Sequence, residues 1–130
     1  DTILYLPAVE PKIYKCYGGH AEVFCELDFH GLWPDFSGMT KENPLDLMRS
    51  IAADGKIYST NMLSDGDNVA VSFFCKEDFY VLRFSHDDLS SPKLFKVDKD
   101  TLDSLGALVA MKDGCLVFGG PEKLLKIRTN

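Results

Sequence analysis

The sequence is poor in the residues that carry most enzyme chemistry. Among 130 residues there are three histidines, one tryptophan and four cysteines. No apolar run approaches the ~20 residues that a membrane-spanning helix needs, so no membrane association is expected. No Cys-x-x-Cys pair occurs, which argues against a zinc site. Gly18-Gly19 and Gly119-Gly120 lack the spaced glycines and following helix of a phosphate-binding loop, and read as turns. Asp65, Asp67 and Asn68 around Gly66 lack the spacing and closing glutamate of a calcium loop, and also read as a turn. No metal or cofactor is expected. Positive charge is scarce too: 14 Lys+Arg stand against 20 Asp+Glu, a net charge of −6. A non-specific nucleic-acid binder shows the opposite balance. The small cationic groups, Lys12 with Lys15 and Lys123 with Lys126 and Arg128, read as solvated surface.

What remains is ordinary globular material. A hydrophobic fraction of 45% and an aromatic fraction of 12% suit a single domain over residues 1–130. The chain starts at Asp1, as a mature chain does after loss of a signal peptide, and the expectation is a secreted protein. Four cysteines fit two disulfides, for which three pairings exist. The expected pairs are Cys16 with Cys25, around the Gly18-Gly19 turn, and Cys75 with Cys115, joining two strand-like runs. The alternative is four buried free thiols in a reducing compartment.

Local patterns predict an α+β fold: a β-rich domain, an antiparallel sheet and one or two short helices. Ile3-Leu4-Tyr5-Leu6, stopped by Pro7, reads as an edge strand. Val23, Cys25, Leu27 and Phe29 alternate with more polar positions, so His30 is expected at a strand end. Asn43-Pro44 reads as an N-cap and first helical residue, followed by Leu45, Met48, Ile51 and Ala52 at helical spacing until Asp54-Gly55. Residues 56–60, 69–74 and 79–84 read as strands, the last two joined tightly at Lys76-Glu77-Asp78. Residues 94–97 form another. Asp100 and Asp103 open a helical turn or two that ends at Gly106, and Asp113-Gly114 is a type I′ hairpin signal between residues 107–111 and 116–118. Hairpin signals with charged tips thus recur at unequal spacing. Three hairpins cannot close a β-propeller, so that architecture would require assembly with other chains or segments.

One segment has a more specific look. In Phe29-His30-Gly31-Leu32-Trp33-Pro34-Asp35, His30 is a candidate acid or base, Gly31 lets backbone approach a ligand, and Trp33 offers a stacking face. Asp28 and Asp35 flank the histidine and could orient it. The segment resembles the first active-site segment of the ribonuclease T2 family, and with the upstream strand, Cys16 and Cys25 the resemblance spans about residues 1–38. It implies metal-independent cleavage of single-stranded RNA through a cyclic phosphate, with His30 catalytic, Trp33 in a base or ribose site, and Cys16 and Cys25 in the first disulfide. The family's second segment, a helical His-Glu pair followed by Lys-His-Gly, has no counterpart after residue 38. His20 and His86 read as surface residues, and no spacing brings Lys12, Lys15 or Lys41 to His30. The expectation is therefore a secreted ribonuclease T2-like pseudoenzyme that binds single-stranded RNA, a nucleotide or a protein partner, with His30, Gly31, Trp33 and Asp35 at the site. The alternative is a non-catalytic β-rich ligand- or protein-binding module. That module is either lipocalin-like, through Gly31-Leu32-Trp33, or part of a larger β assembly.

Overall fold

The computed structural model describes residues 2–7, 9–36, 44–120 and 124–128. Its strands are β1 (Ile3–Tyr5), β2 (Lys12–Tyr17), β3 (His20–Glu26), β4 (Tyr58–Ser64), β5 (Asn68–Cys75), β6 (Asp78–Ser85), β7 (Asp88–Val97), β8 (Ala107–Lys112), β9 (Cys115–Gly119) and β10 (Leu124–Arg128). Two helices interrupt them, α1 (Pro44–Ala53) and α2 (Lys99–Leu105). The strands form three separate antiparallel sheets, each a meander of consecutive strands: β1-β2-β3, β4-β5-β6-β7 and β8-β9-β10. The β-rich expectation with two short helices holds, but there are three sheets rather than one, and none closes into a lipocalin-like barrel.

The central four-stranded sheet is packed on both faces. Val69, Val71, Phe73 and Cys75 of β5 share one core with Ile13, Leu27 and Phe29, and with Leu4, Phe24 and Cys25, from the first-sheet region. Ala70 and Phe74 point the other way, into a second core with Phe79, Val81, Met111, Leu116 and Phe118. This explains why residues 69–75 read as an almost unbroken apolar run: a strand covered on both faces has no solvent side to keep polar. Ile13, Ile57, Val69, Val71, Val81 and Phe118 are almost wholly shielded, each contributing about 1.5–3 kcal/mol through burial.

Turn chemistry sets the registers. Lys76 and Glu77 both take positive φ between β5 and β6, as Asp113 and Gly114 do between β8 and β9, the geometry that matches the twist of paired strands. In the first sheet the register slips between Ile13 and Tyr14, so that Val23 pairs with Tyr14 and Cys25 with Ile13. Phe24 is the extra residue. This bulge breaks the expected row of Val23, Cys25, Leu27 and Phe29: Val23 is exposed while Phe24, Cys25, Leu27 and Phe29 pack into the first core.

Other expectations shift in detail. Pro44 is the first residue of α1, but Asn43 lies outside the described residues. Of the apolar positions on α1 only Ile51 is buried, and Leu45 and Met48 are exposed. The cap of α2 is Asp98, whose carboxylate accepts the Thr101 N–H at 2.8 Å, and Asp100 sits inside the first turn. Strand β7 begins earlier than the apolar signal and contains Pro92, which an edge strand tolerates because one side of its ladder is unpaired. Lys126 and Arg128, which the sequence offers only as solvated cations, belong to strand β10.

The expected disulfides are not formed: Cys16, Cys25, Cys75 and Cys115 are all free thiols. Cys16 stands opposite Ala21, and Cys25 opposite Ile13, an offset of about three positions or ~10 Å along the ladder, beyond the ~7 Å that a bridge spans. Cys75 lies in the first core, where its thiol donates to the Gly55 carbonyl at 3.3 Å. Cys115 begins β9 on the third sheet, its sulfur 3.9 Å from the Asp113 carbonyl oxygen.

Candidate functional site

The segment after β3 folds as a tight turn. Phe29 accepts the Leu32 N–H at 3.0 Å on its carbonyl, and the two central residues, His30 and Gly31, have φ of +52° and +83°. This is type I′ geometry, for which glycine is favoured at the second position and histidine is among the side chains that tolerate the first. Asp28 fixes the entry, its carboxylate accepting the His30 N–H at 2.8 Å. The turn is tied down by Ile57 N–H to the Leu32 carbonyl at 2.9 Å and by the Lys56 ammonium to the Gly31 carbonyl at 2.9 Å. Trp33 stacks on Phe29 with ring centres 5.3 Å apart, and its indole N–H donates to the Val9 carbonyl at 3.4 Å. Each unusual residue of the segment therefore has a conformational or packing task.

The structure separates the residues expected to act together. His30 projects into solvent, its side chain 88% exposed, with Asp28 as its ionic neighbour at 3.7 Å. It stands on the rim of a cleft of ≈ 370 Å³ floored by Phe29, Phe73, Tyr80 and Leu82 and walled by Leu32, Pro92 and Leu94. Trp33 lines a different, smaller cleft of ≈ 260 Å³ with Pro34, Phe36, Met48 and Tyr58. Gly31 serves the turn, and Asp35 is exposed beside the buried Pro34, on neither cleft. The other histidines are elsewhere. His20 is at the β2–β3 turn near the Tyr17 ring. His86 is at the β6–β7 turn, against Phe24 and 3.4 Å from the Ser64 hydroxyl.

The His30 cleft is apolar, with one imidazole and one carboxylate at its edge. An aromatic ladder makes its floor: Phe73 meets Phe29 edge-on at 5.2 Å and stacks on Tyr80 at 5.4 Å. No second histidine and no lysine or arginine lines it among the described residues. Leu94 and Leu32 remain 60% and 39% exposed, so apolar surface is open to a ligand. Tyr80, Leu82, Pro92 and Leu94 lie fifty or more residues from His30 in sequence. No local pattern linked them to it, and only the packing of the first sheet on the central one does.

Polar groups gather in another cleft, where Lys15, Ser64 and His86 meet Leu4, Phe24 and Met62. Beside it, Asp65 joins the central sheet to the third: its carboxylate accepts N–H groups from Gly114 at 2.7 Å, Asn68 at 2.8 Å and Asp67 at 3.1 Å. Partial burial pushes the Asp65 carboxyl up, but these donors outweigh it and hold it below its ordinary value. Asp65, Asp67 and Asn68 thus form the expected turn, and it braces two sheets. The described residues bring together no group of three or more potential metal ligands, and no described helix is long and apolar enough to cross a membrane. Comparison of the chain with family models, curated proteins and solved structures gives no match.

Proposed function

We propose that this chain acts by binding rather than by RNA hydrolysis, and that its ligand is an apolar or aromatic side chain of a protein partner held in the cleft beneath His30. One observation carries this reading: the cleft that contains His30 is lined by aromatic and aliphatic groups and, among its described residues, by no second acid–base pair or cation. Cleaving a phosphodiester needs a base for the 2′-hydroxyl, an acid for the leaving oxygen and positive charge at the phosphorane. His30 and Asp28 supply one imidazole and one carboxylate, but no lysine or arginine stands among the described lining residues to hold the phosphorane, and Asp28 adds negative charge. The volume lies within the range of small-ligand sites, which pair apolar walls with a few orienting polar groups. Here Asp28 and His30 are placed to hydrogen-bond the backbone or polar end of the bound group. A net charge of −6 further disfavours a polyanion.

N-acetyl-tryptophanamide and uridine 3′-monophosphate serve as probes in amide-resolved NMR titrations, beside an assay for cleavage of single-stranded RNA. The expected result is shifts confined to Leu32, Tyr80, Leu82 and Leu94 with the indole, none with the nucleotide, and intact RNA. Leu94→Arg, at an exposed position, abolishes the indole response without unfolding the chain. Cleavage to cyclic-phosphate ends that His30→Ala abolishes would overturn the proposal, as would indole shifts centred away from this cleft.

A further inference from the structure

Strand β7 leaves its ladder at one place. Asp88 stands opposite Ser85 and Lys93 opposite Arg83, so Leu89, Ser90, Ser91 and Pro92 face Phe84 alone. Extra residues on one strand bow out of the sheet as a bulge, and Pro92, with no N–H to give the ladder, suits that position. Leu89 anchors the bow against the first core, while Ser90, Ser91, Pro92 and Lys93 are all exposed. β7 is also the outermost strand of the central sheet. Among the described residues no strand pairs with its free edge, and the bow is open to a partner from that side.

Ser91 is the one serine or threonine in the sequence that proline follows. A residue before proline is held in the extended region, and a protein kinase takes its acceptor as an extended segment. Proline-directed kinases offer the next position an apolar pocket without a hydrogen-bond acceptor. Any other residue there buries an unpaired N–H, which proline lacks. The bow therefore presents what such a kinase reads without local unfolding: a hydroxyl and the following pyrrolidine, extended, exposed and outside the β6 register. Four free thiols suit the reducing compartments in which ATP and protein kinases are found.

We propose that Ser91 is a phosphorylation site for a proline-directed serine/threonine kinase. Ser91 Oγ attacks the γ-phosphorus of ATP, the bond from that phosphorus to the β,γ-bridging oxygen breaks, ADP leaves, and the hydroxyl proton passes to the kinase's catalytic aspartate. The modified side chain meets Asp88. That carboxylate accepts the Ser90 hydroxyl at 2.7 Å and the Ser90 N–H at 3.1 Å, and these donors, with a weaker one from the Ser91 hydroxyl, hold it below its ordinary value. Phosphorylation replaces the Ser91 donor with a charge of about −1.5 to −2, and like charge opens the turn. Pro92 and Leu94 wall the His30 cleft, so the new charge arrives beside that apolar site. The assignment of Ser91 does not depend on what the cleft binds.

Incubation of the folded chain with a cyclin-dependent kinase, ATP and magnesium tests it, with a peptide of residues 87–97 as the comparison that carries the motif without the fold. Fragment-ion mass spectrometry locates the phosphate. The expected result is one phosphate, on Ser91, gained by the folded chain at a rate comparable with the peptide's. Ser91→Ala gains none, and Pro92→Ala gains it about tenfold more slowly or worse; both positions are exposed, and circular dichroism verifies that the variants fold. In amide-resolved NMR the Ser90 resonance moves on modification, and one that stays in place refutes the opening of the turn. A folded chain left unmodified, whether or not the peptide reacts, overturns the proposal. So does phosphate on Ser90 or another hydroxyl in place of Ser91, or an unchanged rate for Pro92→Ala.

Discussion

Replacing Gly106 with alanine removes the connection between α2 and the third sheet. Gly106 has φ +88° and ψ −153°, and its N–H donates to the Leu102 carbonyl at the end of the helix. Residues with a Cβ essentially never occupy that region, and forcing one there costs about 1–3 kcal/mol. The added Cβ would also stand 2.3 Å from the Gly119 carbonyl oxygen, 2.8 Å from its carbon and 2.9 Å from the Gly120 Cα. All three are backbone atoms, so no side chain can swing aside and the start of the β8–β9 ladder must move, for about another 1–3 kcal/mol. The sum, about 2–6 kcal/mol, is a large part of the ~5–15 kcal/mol by which a domain is stable. Gly31→Ala is the control: its φ is +83°, but nothing lies within 4 Å of the added carbon, leaving strain alone at about 1–2 kcal/mol.

Urea denaturation followed by far-UV circular dichroism and by Trp33 fluorescence measures both. At a typical slope of ~1–3 kcal/mol per molar urea, Gly106→Ala lowers the midpoint by roughly 1 M or more, and by clearly more than Gly31→Ala. Trp33 reports on the first core while the substitution strikes the third sheet. The central sheet belongs to both cores, so the two probes should shift together. Equal effects of the two substitutions would refute the close approach of Gly106 to Gly119, and a Trp33 transition left unmoved would refute the coupling of the cores.

Asp65 makes stability depend on pH in a definite direction. Its folded carboxyl titrates below the unfolded value of about 3.9. Its contribution is therefore complete above that value and lost as pH falls through the lower folded one. Asp65→Asn is expected to be less stable than the parent at neutral pH, the difference shrinking in acid; a gap that is constant down to pH ~2 would show that the carboxylate charge is irrelevant. The four thiols give a second check: without reductant, iodoacetamide in denaturant should add four labels, and native labelling should favour Cys16 over the buried Cys75 and Cys115. Burial and the charge of Glu26 push the Cys25 thiol up, which slows its reaction further. Two unlabelled cysteines would restore a disulfide.

Much of the fold was legible because it is local. The turns at Lys76-Glu77 and Asp113-Gly114, the stop after α1 at Gly55 and the unbroken apolar run of β5 follow from backbone preference and from the need to cover two faces at once. The parts misread depended on neighbours distant in sequence. The bulge that turns Val23 outward exists only against β2, and β10 is a strand only because β9 offers it an edge.

The segment from Phe29 to Trp33 shows the same division at one place. The sequence alone placed His30 at a strand end, with a glycine after it and two large rings beside it; that His30 and Gly31 form a tight turn with paired positive φ emerged only in the fold. Whether His30 met a catalytic partner could only be decided in three dimensions, by which strands pack beneath it. They are β5, β6 and β7, and they bring Phe73, Cys75, Tyr80, Leu82, Pro92 and Leu94 rather than a second histidine or a cation. Short-range preferences act through a few bonds and are written in neighbouring residues. A site is made where distant segments meet, and that meeting is chosen by the burial of both faces of the central sheet.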